Sequence, residues 1–129
     1  MFKWYAVKAL HFIRNAKYKP AKNRLFKIKE GELCACALGQ IALGLNLVSE
    51  DQAREYAKHS TSDEQPVYEL IKDFFKNDDG VFLSTIIPGV NDTLSLSENS
   101  PSEKFFNKLA DELEIRFNNT PNIRLNTTE

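Results

Sequence analysis

The sequence predicts an α+β protein, dominated by helices and folded as a single compact domain with a small β-hairpin. Three observations predict it. Apolar residues recur at spacings of three and four through much of the chain, which is the helical period. One short stretch, LFKIK at 25–29, alternates apolar and charged residues instead, which is the strand period. A chain of 129 residues with 42% apolar content can also bury a core without disulfides or metal. About five helices are expected within residues 1–117, and residues 118–129 (NNTPNIRLNTTE) read as a loosely ordered tail.

The first helix is predicted over residues 2–15, because Phe2, Ala6, Ala9, Leu10 and Ile13 share one face; Asn15 and then Pro20 end it. In the hairpin, at about 24–36, Leu25, Lys27 and Lys29 point one way and Phe26 and Ile28 the other. Glu30-Gly31 turns the chain, and residues 32–36 pair back. A helix from Cys36 to Asn46 is apolar nearly all round, as central buried helices are. Gly39 and Gly44 each weaken it by about 1 kcal/mol relative to Ala, which is tolerable where another backbone packs close. Ser49-Glu-Asp-Gln52 is a capping box opening a helix to about His59. Residues 61–66 start the next one, with Val67, Leu70, Ile71, Phe74 and Phe75 as its buried stripe, ending near Asn77. Asp78-Asp79-Gly80 reads as a turn. VFLSTII (81–87) reads as a buried strand or an irregular core segment, stopped by Pro88-Gly89. After the polar loop TLSLSENS, Ser100-Pro101-Ser102-Glu103 signals an N-cap, a proline at the first helical position and a glutamate at the third. Phe106, Leu109, Ala110, Leu113 and Phe117 face inward from the helix that follows.

Charge is distributed unevenly along the chain. The first 29 residues hold nine Lys or Arg and no acid, while the rest holds eight and all eighteen acids, for a total of −1. The densest part, KYKPAKNRLFKIK at 17–29, carries Lys17, Lys19, Lys22, Arg24, Lys27 and Lys29 with Tyr18 among them. Cations beside aromatics suit phosphates and bases. The simpler alternative is that acids of the same chain neutralise them, and a pI near 6.1 is low for a dedicated nucleic-acid binder. Lys3, Lys8, His11 and Arg14 interrupt the N-terminal apolar run, so no signal peptide is expected. The most apolar run, residues 33–48, is 16 residues long and holds Gln40 and Asn46, too short and polar to span a bilayer. A cytoplasmic protein with no membrane partner is expected, and the Asn-x-Thr triplets at Asn91, Asn118 and Asn126 then carry no glycan.

The search for reactive groups gives little. Cys34-Ala-Cys36 with His11 or His59 is too thin a ligand set for zinc, so no metal and no cofactor are expected. The chain order Cys36, His59, Asp92 matches a nucleophile, base and orienter, but Cys36 lies in the most apolar part of the sequence. An enzyme using Cys36 requires a thiol more acidic than the usual ~8.5. Adjacent acids at Asp78-Asp79 and Asp111-Glu112 are ordinary surface residues. No glycine-rich phosphate loop is present. Asn91-Asp92 reads as turn chemistry, or as a polar pair presented at a groove.

KYKP…LFKIKEGELCACALG resembles the front of a family of small bacterial and phage-encoded proteins. Their pattern is a basic turn followed by a Cys-x-x-Gly segment entering a buried helix, here Cys36-Ala-Leu-Gly39. Asn91-Asp92 ahead of SPSEKFFNKLADELE resembles their second landmark. This chain departs from the pattern in its extra Cys34 and in a longer loop after Asp92. The resemblance implies one compact, mostly helical domain with a small hairpin and brings no activity with it. The leading expectation is a small non-enzymatic protein that docks on a macromolecular partner, a protein before a nucleic acid, in the manner of a phage-type inhibitor or regulator. Its candidate binding residues are Lys17, Tyr18, Lys19, Lys22, Arg24, Lys27, Lys29, Asn91 and Asp92. The alternatives are nucleic-acid binding through the basic segment and a cysteine-dependent enzyme.

Overall fold

The computed structural model describes residues 2–120, without the side chains of residues 2, 3 and 77–79. The tail from residue 121, the side chain of Phe2 and the carboxylates of Asp78 and Asp79 therefore lie outside the described residues. The described chain is α+β and predominantly helical. Its elements run α1 (Phe2–Arg14), β1 (Lys19–Pro20), β2 (Phe26–Lys29), β3 (Glu32–Ala35), α2 (Ala37–Gly44), α3 (Glu50–Ala57), a 3₁₀ turn (Thr61–Glu64), α4 (Gln65–Phe75), α5 (Asn77–Thr93) and α6 (Ser102–Asn118).

The centre is α2. Every residue from Ala37 to Leu43 is buried, and α1, α5 and β3 pack around it. Gly39 sits where a side chain has no room: a Cβ there would lie 2.6 Å from the Leu25 carbonyl oxygen and 3.1 Å from the Phe26 ring. The close backbone approach that makes glycine tolerable in this helix is therefore met by Leu25, the residue leading into β2. At Gly44 the neighbour is the Phe12 ring.

The hairpin forms as its pattern predicts. β2 and β3 are antiparallel with Lys29 opposite Glu32, and both turn residues have positive φ, 51° at Glu30 and 81° at Gly31. That pairing of φ values matches the twist of the flanking strands. β1 is an addition the sequence did not announce: it runs parallel to β3, giving the order β1-β3-β2. Pro20 is at home there because an edge strand needs no N–H from it. Ahead of β1 the chain is tied down by a buried side chain. Gln40 of α2 accepts from the Lys17 and Tyr18 N–H groups at 3.2 and 3.3 Å and donates to the Tyr18 and Ala35 carbonyls at 2.8 and 3.3 Å.

Two expectations need correction. Residues 81–87 are neither strand nor irregular segment, and Pro88 does not stop them; they belong to α5, which continues to Thr93 with Pro88 inside it. Leu83, Ile87, Val90 and Leu94 follow the helical period and are all buried. A proline inside a helix costs about 3 kcal/mol. Burying four such side chains stabilises by about 1.5–3 kcal/mol each, so the stripe prevails over the breaker. The turn expected at residues 78–80 is accordingly the first turn of α5, and among the described residues six α-helices form where about five were expected. The second correction is at α6. It begins at Ser102, with Pro101 extended at the cap position (φ −54°, ψ 137°) and no side-chain cap. Ser100 does not cap, because the helix starts one residue later and the cap position falls on Pro101; the Ser100 N–H closes a turn on the Ser97 carbonyl, 3.0 Å away.

Elsewhere the stripes hold except at Leu70. The capping box at Ser49 and Gln52 is complete. Ala6, Ala9, Leu10 and Ile13 of α1 are buried, as are Phe106, Leu109, Ala110, Leu113 and Phe117 of α6, joined by Phe105. On α4, Val67, Ile71 and Phe75 are buried and Phe74 is half-buried, but Leu70 is exposed.

A candidate docking surface around the basic segment

Residues 17–29 lead from α1 through β1 into β2, and acids and carbonyls from distant parts of the chain meet most of their cations. Arg24 reaches inward: its Nε and Nη2 donate to Glu64 Oε2 at 3.3 and 3.2 Å, and Nη2 also donates to the Tyr56 and His59 carbonyls at 2.8 and 2.9 Å. Glu64 is only 1% exposed and also accepts the Leu25 and Phe26 N–H groups, at 3.0 and 3.2 Å. One carboxylate thus fixes the entry to β2 and neutralises the arginine beside it.

Glu98 plays the corresponding part on the other side. It accepts the Lys22 N–H at 2.7 Å, Lys27 Nζ at 2.9 and 3.1 Å, and Lys29 Nζ at 2.8 Å. Burial opposes its ionisation, but the hydrogen bonds from Lys29, Lys27 and the Lys22 N–H outweigh that and hold its carboxyl down at about 2. Lys29 Nζ also donates to Asn99 Oδ1 at 2.9 Å, and Lys22 Nζ to the Leu94 carbonyl at 2.8 Å. Lys19 pairs with Glu32 at 3.1 Å on the open surface, and that hydrogen bond raises its pKa. The Tyr18 hydroxyl donates to Glu50 at 3.1 Å; burial first, and then this bond, raise its pKa. Lys17 is exposed, with no acid paired to it among the described residues.

Asn91 and Asp92 are not a turn, and Asn91 is not presented at a groove. Both lie near the end of α5, and Asn91 is 0% exposed. Its Oδ1 accepts the Ala37 N–H at 2.9 Å, and its Nδ2 donates to the Ala21 carbonyl at 2.9 Å and to Asp92 Oδ1 at 3.1 Å. Asp92 Oδ1 also takes the Asn23 N–H at 2.8 Å, where Asn23 has φ of 70°. The pair ties residues 21–23 to α5 and to the start of α2.

Beside the Glu98 cluster lies an open groove of about 560 Å³, lined by Lys19, Lys29, Cys34, Glu98, Asn99 and Ser102 among others. Its charges alternate in sign. Cys34 forms part of its wall, and burial raises the thiol pKa. Cys36 lies in the core as the N-cap of α2, with Sγ 3.5 Å from the Gly39 N–H. Burial pushes its thiol up to about 12 despite that bond, the reverse of what a nucleophile requires. His59 is exposed and faces Glu55 at 3.9 Å, so the order Cys36, His59, Asp92 does not assemble into a relay. Among the described residues no three His, Cys, Asp or Glu gather as metal ligands would, and no helix is long and apolar enough to cross a membrane.

The sequence reading missed Glu64, Glu98 and the structural use of Gln40. Glu64 sits inside a stretch that reads as a helix start and Glu98 inside a polar loop, so neither has a local signature. Only the excess of cations at 17–29 hinted that acids elsewhere would come to meet it. Comparison with protein-family models, with curated proteins and with solved structures finds no match for this chain.

Proposed function

We propose that this chain is a small non-enzymatic binding protein that docks on a protein partner through the charged surface around residues 17–32 and 98–102. One observation carries the reading: the basic segment is interleaved with carboxylates. Arg24 is withdrawn inward onto buried Glu64, and Lys27, Lys29 and Lys19 are matched at the surface by Glu98 and Glu32, which leaves a mosaic of both signs in place of a continuous positive face. Mosaics of this kind confer specificity and register on a protein encounter. Phosphate recognition calls instead for uncompensated cations. An inhibitor or accessory protein of the phage type fits this class by analogy of size and architecture. Two buried free thiols suit a reducing, cytoplasmic setting.

The test is fluorescence anisotropy of generic duplex and single-stranded DNA and RNA, at low and near-physiological salt, beside crosslinking in extracts of the source cell. The reading expects no salt-steep nucleic-acid binding, and a crosslinked protein that is lost when Lys19 and Lys29 become Glu. Tight oligonucleotide binding that falls steeply with salt, and disappears when Lys17, Lys19, Lys22 and Lys27 become Glu, would replace it with the nucleic-acid reading.

A further inference from the structure

Resting on the docking reading just given, we infer that the loop between α5 and α6 is an internal strap whose Glu98 occupies a cationic cradle built to receive a carboxylate from an acidic segment of the partner protein. The cradle is Lys27 Nζ, Lys29 Nζ and the Lys22 N–H, all within 3.1 Å of the two Glu98 oxygens. Two ammonium groups and a backbone donor share one carboxylate, and a third ammonium, Lys22 Nζ, stands on the Leu94 carbonyl of the same loop with no carboxylate paired to it among the described residues. The cradle therefore carries more positive charge than its occupant cancels.

The occupant also shows what the cradle accepts. Glu98 arrives on irregular backbone, in LSLSENS, between the buried Leu94 and the start of α6. That chemistry is a carboxylate at the corner of a tight turn, closed by the Ser100 N–H on the Ser97 carbonyl at 3.0 Å, and Lys29 adds a hydrogen bond to the neighbouring Asn99 side chain. The groove beside it is open and continues along Lys19 and Ser102, and both Lys29 and Glu98 line it, so an incoming peptide reaches the cradle from the Lys29 side. Glu30 lines the groove, Glu32 is held by Lys19, and Asp92 takes the Asn23 N–H beside Lys22; none of the three is paired with Lys27 or Lys29. An acidic segment that displaces Glu98 exchanges one carboxylate for another and gains the unmatched charge of Lys22. The strap holds the Lys27 and Lys29 ammonium groups on its own carboxylate until such a segment arrives.

The test uses the full chain and its Glu98→Gln variant, with a fluorescein-labelled dodecapeptide of alternating Glu and Ser as probe, in anisotropy titrations at low salt. Removing the competing carboxylate should tighten peptide binding by about tenfold or more, and adding Lys27→Gln and Lys29→Gln in the same chain should abolish the gain. Thermal melts establish that each variant is folded. Should Glu98→Gln fail to fold, Glu98→Asp, one methylene short of spanning both ammonium groups, serves instead and should show a smaller gain. A folded variant with no gain overturns the inference, as does a gain that survives loss of both lysines. A gain for an oligonucleotide of the same length without one for the peptide overturns it too. Any of these results from the variants leaves the docking reading standing, since that reading falls on the behaviour of the wild-type chain with nucleic acid.

Discussion

Replacing Glu64 with Ala should be among the most destabilising single changes in the molecule. Its carboxylate accepts the N–H groups of Leu25 and Phe26, both residues 0% exposed, and two donors from Arg24. Alanine orphans the two N–H groups at about 1–3 kcal/mol each and leaves the guanidinium with carbonyls alone. Breaking a buried ion pair from one side costs about 3–5 kcal/mol, and the two estimates overlap because they describe the same lost contacts. We therefore expect a loss of about 4 kcal/mol, a large share of the roughly 5–15 kcal/mol that holds a domain together, and a fall in Tm of roughly 10–20 °C. Urea unfolding followed by circular dichroism measures it. The double variant Arg24→Met, Glu64→Leu sharpens the test. It removes both charges but still orphans the two N–H groups, so it should recover only part of the loss. A loss below about 1 kcal/mol for Glu64→Ala, or full recovery in the double variant, would refute the argument that one carboxylate holds the entry to β2.

Three further outcomes are expected. Glu98 is held below its unfolded value, so its contribution is present above about pH 4.3 and is lost as the pH falls through about 2; stability measured across that window should drop by about 1–2 kcal/mol in the wild type once solvent screening is allowed for, and Glu98→Gln should flatten the drop. Gly39→Ala should destabilise by about 1–3 kcal/mol because of the Leu25 carbonyl 2.6 Å from the new methyl group, whereas Gly89→Ala, with nothing within 4 Å, should stabilise α5 by about 0.5–1 kcal/mol; equal effects in denaturant titrations would contradict the packing at Gly39. Cys36 should react with a thiol reagent at pH 8 only as fast as the fold opens, because its thiol is buried and raised to about 12; rapid labelling of Cys36 in the folded protein, located by mass spectrometry, would contradict its burial.

The helices with a buried stripe were legible because the same period that makes a helix amphipathic also writes itself into the sequence. The hairpin was legible because Glu30-Gly31 is local turn chemistry. α5 was misread because two local signals disagreed. Pro88-Gly89 marks a stop, while Leu83, Ile87, Val90 and Leu94 mark a helix, and only the depth of the core on that side decides between them. β1 was invisible because two residues cannot carry a period, and the interactions that place it come from Gln40, about twenty residues away in sequence. The surface was legible by half. The concentration of cations was plain, but their partners lie 40 residues away at Glu64 and about 70 at Glu98, and a single sequence carries no mark of such pairing.

That separation has a consequence in time. The cations of β2 leave the ribosome well before the carboxylates that neutralise them. At about 5–20 residues per second, roughly 4–15 s pass between Lys22 and Glu98, and pairings so far apart in sequence are slow to close. Through that interval the nascent segment is a bare polycation beside the ribosomal RNA. The stretch whose cations the finished protein mostly pairs is, during its own synthesis, the part of the chain most strongly drawn to nucleic acid.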